Sequence, residues 1–569
     1  MWWLPLSRKS KGGEILPDEI FLDSSNLPEF DDEQFEGRVE RPVSDISIFA
    51  IVGIFLLIAV LFAGRSFDLQ VLRGAAFAEA SKNNRLEHSV VFSERGVLYD
   101  RNGIELAWNK IGDQEYAKRQ YSDMEGLSHV LGFVRYPKTD AAGRWWRTDI
   151  VGVAGVEQAF NTTLAGHNGQ QIIEINALGE VTREQLVYPA EDGRNIMLSI
   201  DAEVQHKLHE LLTNHARVHG FRGGASVVMD VETGEIIALV SFPEYDSQAL
   251  ADGNDAVIAA YANNEDKPFL NRAVQGAYTP GSIVKPLFAA AALAENIIDP
   301  GEEILSTGSI ALPNPFIPGA FSVFPDWKAH GLVDMRKAIA VSSNVYFFIV
   351  GGGFEKYGGL GISRIEKWSR AFGFGEKTGI PLLGEVKGTI PSPEWKAMHF
   401  DDDVWRVGDT YNTAIGQYGY QITPIQAVGM VAAIANGGTL LLPKLVKTDN
   451  ANPTLIGVSP DDLKVVQDGM RLAVTSEEGT ARSLNIQGIS IAGKTGTAQV
   501  GNQNQWMHSW AIGFWPYEHP RYAFATVLEQ APEGTLAGSA PAMRPFFEWL
   551  AASKKEYVGQ YSPSRQAPR

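Results

Sequence analysis

The chain has 569 residues, 44% of them hydrophobic and 20% charged, with a net charge of −18. That length exceeds what one hydrophobic core supports, so two or more domains are expected. The acidic balance argues against a nucleic-acid partner, and the lack of cysteine excludes disulfides, thiolate metal sites and cysteine nucleophiles.

Residues 1–45 are rich in acids, with Asp31-Asp32-Glu33 at their centre and Phe21, Phe30 and Phe35 at no regular period. A disordered tail is expected there. Residues 46–64 carry no charge, and a run of that length matches the roughly 20 residues a helix needs to cross a bilayer. Arg38 and Arg41 precede this run and Arg65 and Arg73 follow it, so the distribution of basic residues leaves its orientation open.

Residues 65–190 read as a small α+β domain next to the membrane, with Asn102-Gly103 as a two-residue hairpin turn. The texture changes from residue 191. A strand over 196–200 leads into a helix capped by Asp201, and strands over 225–230 and 235–240 flank Thr233-Gly234. Helices are expected over 287–295, 335–346 and 425–436, and strands over 490–492, 510–514 and 523–527. The fold class is α/β and multi-domain: an antiparallel sheet flanked by helices over 191–555, preceded by the smaller domain and the apolar span. Residues 556–569 read as a disordered polar tail.

Three strings carry chemistry: Ser282-Ile283-Val284-Lys285, then Ser342-Ser343-Asn344, then Lys494-Thr495-Gly496-Thr497. Each alone is weak, since a chain this long should show about one Ser-x-x-Lys by chance. In this order they form the nucleophile set of serine acyl-transfer enzymes. Pro280-Gly281 makes a turn, and Pro286 is tolerated only in a first helical turn, which puts Ser282 at a helix N-terminus with Lys285 on the same face. A serine needs a base, and lysine serves only if burial and neighbouring positive charge lower its pKa. Lys494 is a candidate source of that charge. Ser342 can relay a proton, and Asn344 can hold Lys285 and a substrate amide. Thr495 and Thr497 can grip a substrate carboxylate on an edge strand around Gly496, and the backbone N–H groups of Ser282 and Thr497 can form an oxyanion hole. His508 is expected to be structural, as no Gly-x-Ser-x-Gly elbow accompanies it. Asn161-Thr162-Thr163 is read as a chance sequon.

The chain resembles the class B penicillin-binding proteins of the elongation, penicillin-binding protein 2-like, type. The likeness extends from the apolar span to about residue 550. It includes Arg95-Gly96, Asp100-Arg101-Asn102-Gly103, Gly152 to Glu157, Leu270-Asn271-Arg272-Ala273, Asp326-Trp327-Lys328, Pro391 to Lys396, Gly408 to Asn412 and Ile415-Gly416-Gln417. The resemblance implies a peptidoglycan D,D-transpeptidase that crosslinks D-Ala-D-Ala stem peptides through an acyl-enzyme on Ser282 during wall elongation and shape maintenance. It also implies covalent capture of β-lactams. It places the enzyme in a bacterial plasma membrane, single-pass, with a cytoplasmic N-terminus and an extracytoplasmic catalytic domain, beside a polytopic glycan polymerase. A D,D-carboxypeptidase or β-lactamase, in which water resolves the acyl-enzyme, is the hydrolytic alternative; a β-lactam sensor is another. No cofactor is expected.

Two departures stand out. Only about two dozen residues separate Asn102-Gly103 from Ser128-His129-Val130-Leu131-Gly132, so the membrane-proximal head of the family is shortened. Some relatives carry an Asp/His/Cys cluster suggestive of a structural metal. Here Asp326 and His330 are present but Ser343 stands at the cysteine position, so no zinc is expected.

Overall fold

The computed structural model describes residues 45–77, 86–112, 114–141, 143–175, 181–401, 403–447, 453–501 and 503–559. Residues 1–44 and 560–569, the greater part of both expected tails, lie outside the described residues. The chain divides into two compact units, one of Met1–Glu87 with Glu174–Thr182, the other of His88–Ile173 with Arg183–Arg569.

In the first unit, helix α1 (Asp45–Phe67) continues through a π-helical turn at Asp68–Leu72. Apolar side chains occupy its whole circumference, and Phe49, Leu56 and Phe62 are exposed. Among the described residues one helix is long and apolar enough to cross a membrane, 25 residues over Ile48–Leu72 with mean hydropathy 2.6. At 1.5 Å per residue that reaches roughly 37 Å, more than the ~30 Å of a hydrocarbon core. The helix runs beyond Gly64, where the uncharged run ends, and Arg65 pairs with Asp68 at 2.8 Å along the same face.

The second unit is organised by a five-stranded antiparallel sheet. Its strands are β1 (Gly223–Asp230), β2 (Ile236–Phe242), β3 (Ala492–Val500), β4 (Trp506–Trp515) and β5 (Tyr522–Pro532), in spatial order β2-β1-β5-β4-β3. Every residue of β1 and β2 is buried, as expected for strands covered on both faces. Helix α2 (Ala202–His219) sends Val204, Leu208 and Leu212 into a core with Val228 and Ile237 of the sheet. On the other side, α3 (Lys285–Ala294) and α5 (Pro424–Ala435), which flank α4 (Asn344–Gly352) in the chain, bury Leu287, Phe288 and Val428 with Val227 and Ile512. The C-terminal α6 (Ser539–Ser553) closes the first core with Phe546 and Phe547. Asp201 caps α2 by accepting from Val204 N at 3.1 Å, and Gly234 turns the β1–β2 hairpin at φ +78°.

Several local expectations change. The helix expected over 335–346 is two helices, Met335–Ala340 and α4, broken where Ser342 takes φ +61° and the Ser343 side chain accepts Tyr346 N as an N-cap. The Asn102-Gly103 turn is wider than two residues. Tyr99 pairs with Glu105, and the Asp100 carboxylate closes the loop by accepting the N–H groups of Asn102 and Ile104 at 2.8 Å. The strand expected over 490–492 begins only at Ala492 and runs to Val500, and the two expected over 510–514 and 523–527 are longer, because pairing within the sheet supports residues whose own sequence is glycine-rich or polar. The expected C-terminal tail begins too early at 556: Tyr557 is buried, with its hydroxyl donating to Asp201 Oδ2 at 2.8 Å.

Arg95 and Arg119 both donate to the buried Glu157, at 2.5 and 2.7 Å. Asn161 Oδ1 accepts from Arg95 Nη1 and Gly152 N, which accounts for a structural role of that asparagine. A Cβ on Gly96 would stand 2.1 Å from Arg194 O, so only glycine fits there.

Candidate active site

The chain reaches the site through Pro280 into a 3-10 turn, Gly281–Val284, and then into α3 with Pro286 in its first turn. The turn lies directly on edge strand β3. Gly281 has φ +56°, and a Cβ there would stand 2.6 Å from Thr497 O and 3.5 Å from Thr497 N. A Cβ on Gly496 would stand 2.8 Å from Pro280 O. Glycine at both positions lets the turn that carries Ser282 lie against the strand, where Thr497 is paired with Ser509 of β4.

Lys285, the first residue of α3, is fully buried. Its Nζ donates to Ser342 O at 2.7 Å, to Ser342 Oγ at 3.3 Å and to Asn344 Oδ1 at 2.7 Å. Lys494, also fully buried, donates from β3 to Ser342 Oγ and Thr495 O, both at 2.8 Å. Two amines therefore converge on one hydroxyl. The left-handed backbone of Ser342 is what turns its carbonyl and its side chain towards the same amine.

Burial pushes Lys285 down to about 7, with the Asp326 carboxylate pulling the other way. Burial also holds Lys494 well below the ordinary lysine range, and proximity to Lys285 adds to it. Of the two causes expected, burial leads for both lysines, while the push from a neighbouring positive charge falls on Lys494, from Lys285, rather than on Lys285.

Six of the eight residues singled out in the sequence line a cleft of about 340 Å³: Ser282, Ser342, Asn344, Thr495, Gly496 and Thr497. The two lysines lie behind it, reached through Ser342. Four further lining residues, Trp327, Ile415, Gln417 and Thr480, were not chosen as site residues. Trp327 and the Ile415-Gly416-Gln417 string lie in segments that carried the family resemblance. Thr480 has no such signal; it reaches the cleft because its backbone N–H donates to Ala340 O at 3.2 Å.

Asp326 lies under the Ser342-Ser343-Asn344 turn. Its Oδ2 accepts from Ser343 Oγ at 2.8 Å and Val345 N at 3.0 Å, and its Oδ1 from Trp327 N at 2.9 Å. His330 Nε2 stands 3.7 Å from Oδ1. These residues do not fit a zinc ion: a serine hydroxyl replaces the thiolate, and it is spent on the carboxylate. Among the described residues no cluster of three metal-binding side chains occurs. His508, on β4, accepts from Gln530 N at 3.2 Å and packs against Tyr278, outside the cleft.

A family model described as the penicillin binding protein transpeptidase domain matches residues 224–548, more than half of the chain. The chain belongs to the penicillin-binding protein transpeptidase family. A second family model, the penicillin-binding protein dimerisation domain, matches residues 111–198. Among curated relatives, the peptidoglycan D,D-transpeptidase MrdA of Haemophilus influenzae is 32% identical, covering 79% of this chain and 71% of its own. MrdA of Acinetobacter baumannii is 29% identical, over 93% and 90% of the two chains. Among solved structures, Helicobacter pylori PBP2 in complex with MreC superposes with a TM-score of 0.69 at 26% identity, covering 83% of this chain and 99% of that one. Pseudomonas aeruginosa PBP2 in complex with WCK 5153 gives 0.68 at 28% identity, with 83% and 99% covered. The elongation-type resemblance read from the sequence agrees with these relatives.

Proposed function

We propose that Ser282 is the nucleophile of a peptidoglycan D,D-transpeptidase acting in wall elongation. The observation that carries this reading is the meeting of two buried amines on Ser342 Oγ, in a cleft shared by Ser282 and an edge strand. Neutral Lys285 takes the Ser282 proton as the oxygen attacks the carbonyl between the two D-alanines. The N–H groups of Ser282 and Thr497 hold the oxyanion. Through Ser342 and Lys494 a proton reaches the departing D-alanine amine, leaving the acyl chain on Ser282 Oγ. An amine from a neighbouring stem peptide then loses its proton to the same network and attacks the ester, which frees Ser282 and forms the crosslink. Thr495 and Thr497 hold the donor carboxylate and pair its backbone along β3, around Gly496, while Asn344 positions Lys285 and the substrate amide.

A β-lactam meets the same serine and stays as the acyl group. Residues 65–190 act as the pedestal and 191–555 as the catalytic domain. Helix α1 anchors the chain in the plasma membrane with its N-terminus cytoplasmic and the cleft outside, where the wall is. A polytopic glycan polymerase supplies the glycan, and the complex of H. pylori PBP2 with MreC supports a further protein contact for this chain.

Two experiments test this. A fluorescent penicillin should label the wild-type chain and fail to label Ser282→Ala; retained labelling removes Ser282 from the mechanism. Incubation with lipid-linked glycan and a polymerase should yield dimeric stem peptides, whereas trimmed monomers alone would make the enzyme a carboxypeptidase.

A further inference from the structure

The second unit holds a larger cavity than the catalytic cleft, about 610 Å³, and the two share no lining residue. It opens between the Tyr121–Leu131 stretch, α2 and the chain leaving β2 at Phe242. Three of its lining residues are more than nine-tenths buried and carry a side-chain atom with no hydrogen-bond partner among the described residues: Tyr121 Oη, His209 Nδ1 and Ser247 Oγ. A buried polar atom without a partner costs about 1–3 kcal/mol, and the side chains that carry these three all line one cavity.

The lining states what kind of ligand. It includes four carboxylates, Asp123, Glu125, Glu244 and Asp246, and among its described residues no lysine or arginine. Burial pushes Glu244 up to about 7, although the N–H groups of Gly126 and Ser128, at 2.6 and 3.1 Å, pull it down. Among the described residues no lysine or arginine pairs with this carboxylate; His209 stands 3.9 Å away. His209 is held neutral, pushed down to about 4 chiefly by burial. Its Nε2 stands 3.5 Å from Thr213 Oγ1 and 3.9 Å from Glu244 Oε1, and a proton on that nitrogen leaves Nδ1 as an acceptor. Tyr245 and Tyr261 supply aromatic walls suited to a cation and its methylenes.

We propose that this cavity binds a primary ammonium group carried on a short peptide, with the carboxylates facing the charge and His209 and Ser247 accepting its hydrogen bonds. The source we assign is the side-chain amine of an uncrosslinked stem peptide, the group that the proposed reaction consumes, held here at a second site apart from the cleft. That choice of source rests on the transpeptidase reading; the ammonium chemistry does not.

The test is calorimetric titration of the full chain with three probes: Nα-acetyl-lysyl-D-alanine, its Nε-acetylated form, and cadaverine. The lysyl peptide should bind and Nε-acetylation should weaken it roughly tenfold or more, as should Glu244→Gln and Ser247→Ala. Because the Ser247 hydroxyl has no partner, Ser247→Ala should leave the unfolding temperature unchanged or raise it, which separates lost binding from lost folding. Equal binding of the acetylated peptide, absence of binding, or undiminished binding in both variants would overturn the proposal. Cadaverine binding as tightly as the peptide would overturn the stem-peptide source and assign the site to free polyamines. None of these readouts passes through Ser282, so they stand apart from the labelling test.

Discussion

Lys285 should set the pH profile of acylation. Its amine is fully buried and pushed down to about 7 by desolvation, with Asp326 opposing. At pH 7 about half of the molecules then carry the neutral base, against roughly one in three thousand for a lysine near 10.5. Rapid mixing with a fluorescent penicillin should give an acylation constant that rises with pH through a midpoint near 7 and flattens above about 8. Below about pH 6 it should fall roughly tenfold per pH unit, because the protonated amine cannot accept the serine proton. Lys285→Arg, which stays charged throughout, should lower the plateau by about 10²- to 10⁴-fold. A flat profile between about pH 5.5 and 9, or an arginine variant that acylates at the wild-type rate, would refute the assignment of the base. The same shift bears on folding. The unfolded chain holds this proton to about 10.5 while the folded chain releases it near 7, so this group makes stability rise with pH between those values. Lys285→Met should flatten that rise in denaturant titrations.

Asp326→Asn should move the acylation midpoint below that of the wild type, since the carboxylate favours the charged form of Lys285; a midpoint that moves upward would contradict this. Ser342→Ala removes the hydroxyl on which both amines converge, and stopped-flow labelling should show a loss of about 10²-fold or more with little change in unfolding temperature. Gly281→Ala puts a methyl 2.6 Å from Thr497 O at φ +56°; thermal unfolding should show a cost of about 1–3 kcal/mol, together with slowed penicillin labelling. Arg95→Ala leaves Glu157 buried with one cation in place of two, and urea titration should show a loss of about 3–5 kcal/mol.

The order of the three strings, the helix start set by Pro286, the Asp201 cap and the apolar span were all legible in the chain, because each is a matter of residue type within one short stretch or of the order of such stretches. The eight selected residues do meet at one place: six line the cleft and the two lysines stand behind it. Where sequence reading fell short, distant residues decide. Residues 335–346 are compatible with one helix, yet Ser306, Asp326 and Ser343 lie together, and their hydrogen bonds favour the break that turns Ser342 towards Lys285. Thr480 enters the cleft through a hydrogen bond to Ala340, 140 positions away.

The sequence by itself determined which candidate side chains for acyl transfer the chain carries and in what order they come, since a candidate nucleophile, base or binding group is a matter of residue type and spacing. Only the tertiary structure decided that both lysines are pushed below the ordinary range, because desolvation depends on what covers an amine, and that cover comes from the whole fold. It also decided that Arg95 and Arg119 share one buried carboxylate, and that His209, Ser247 and Glu244 surround a second cavity. Those contacts join residues tens to more than a hundred positions apart, where no local pattern in the chain records that they meet.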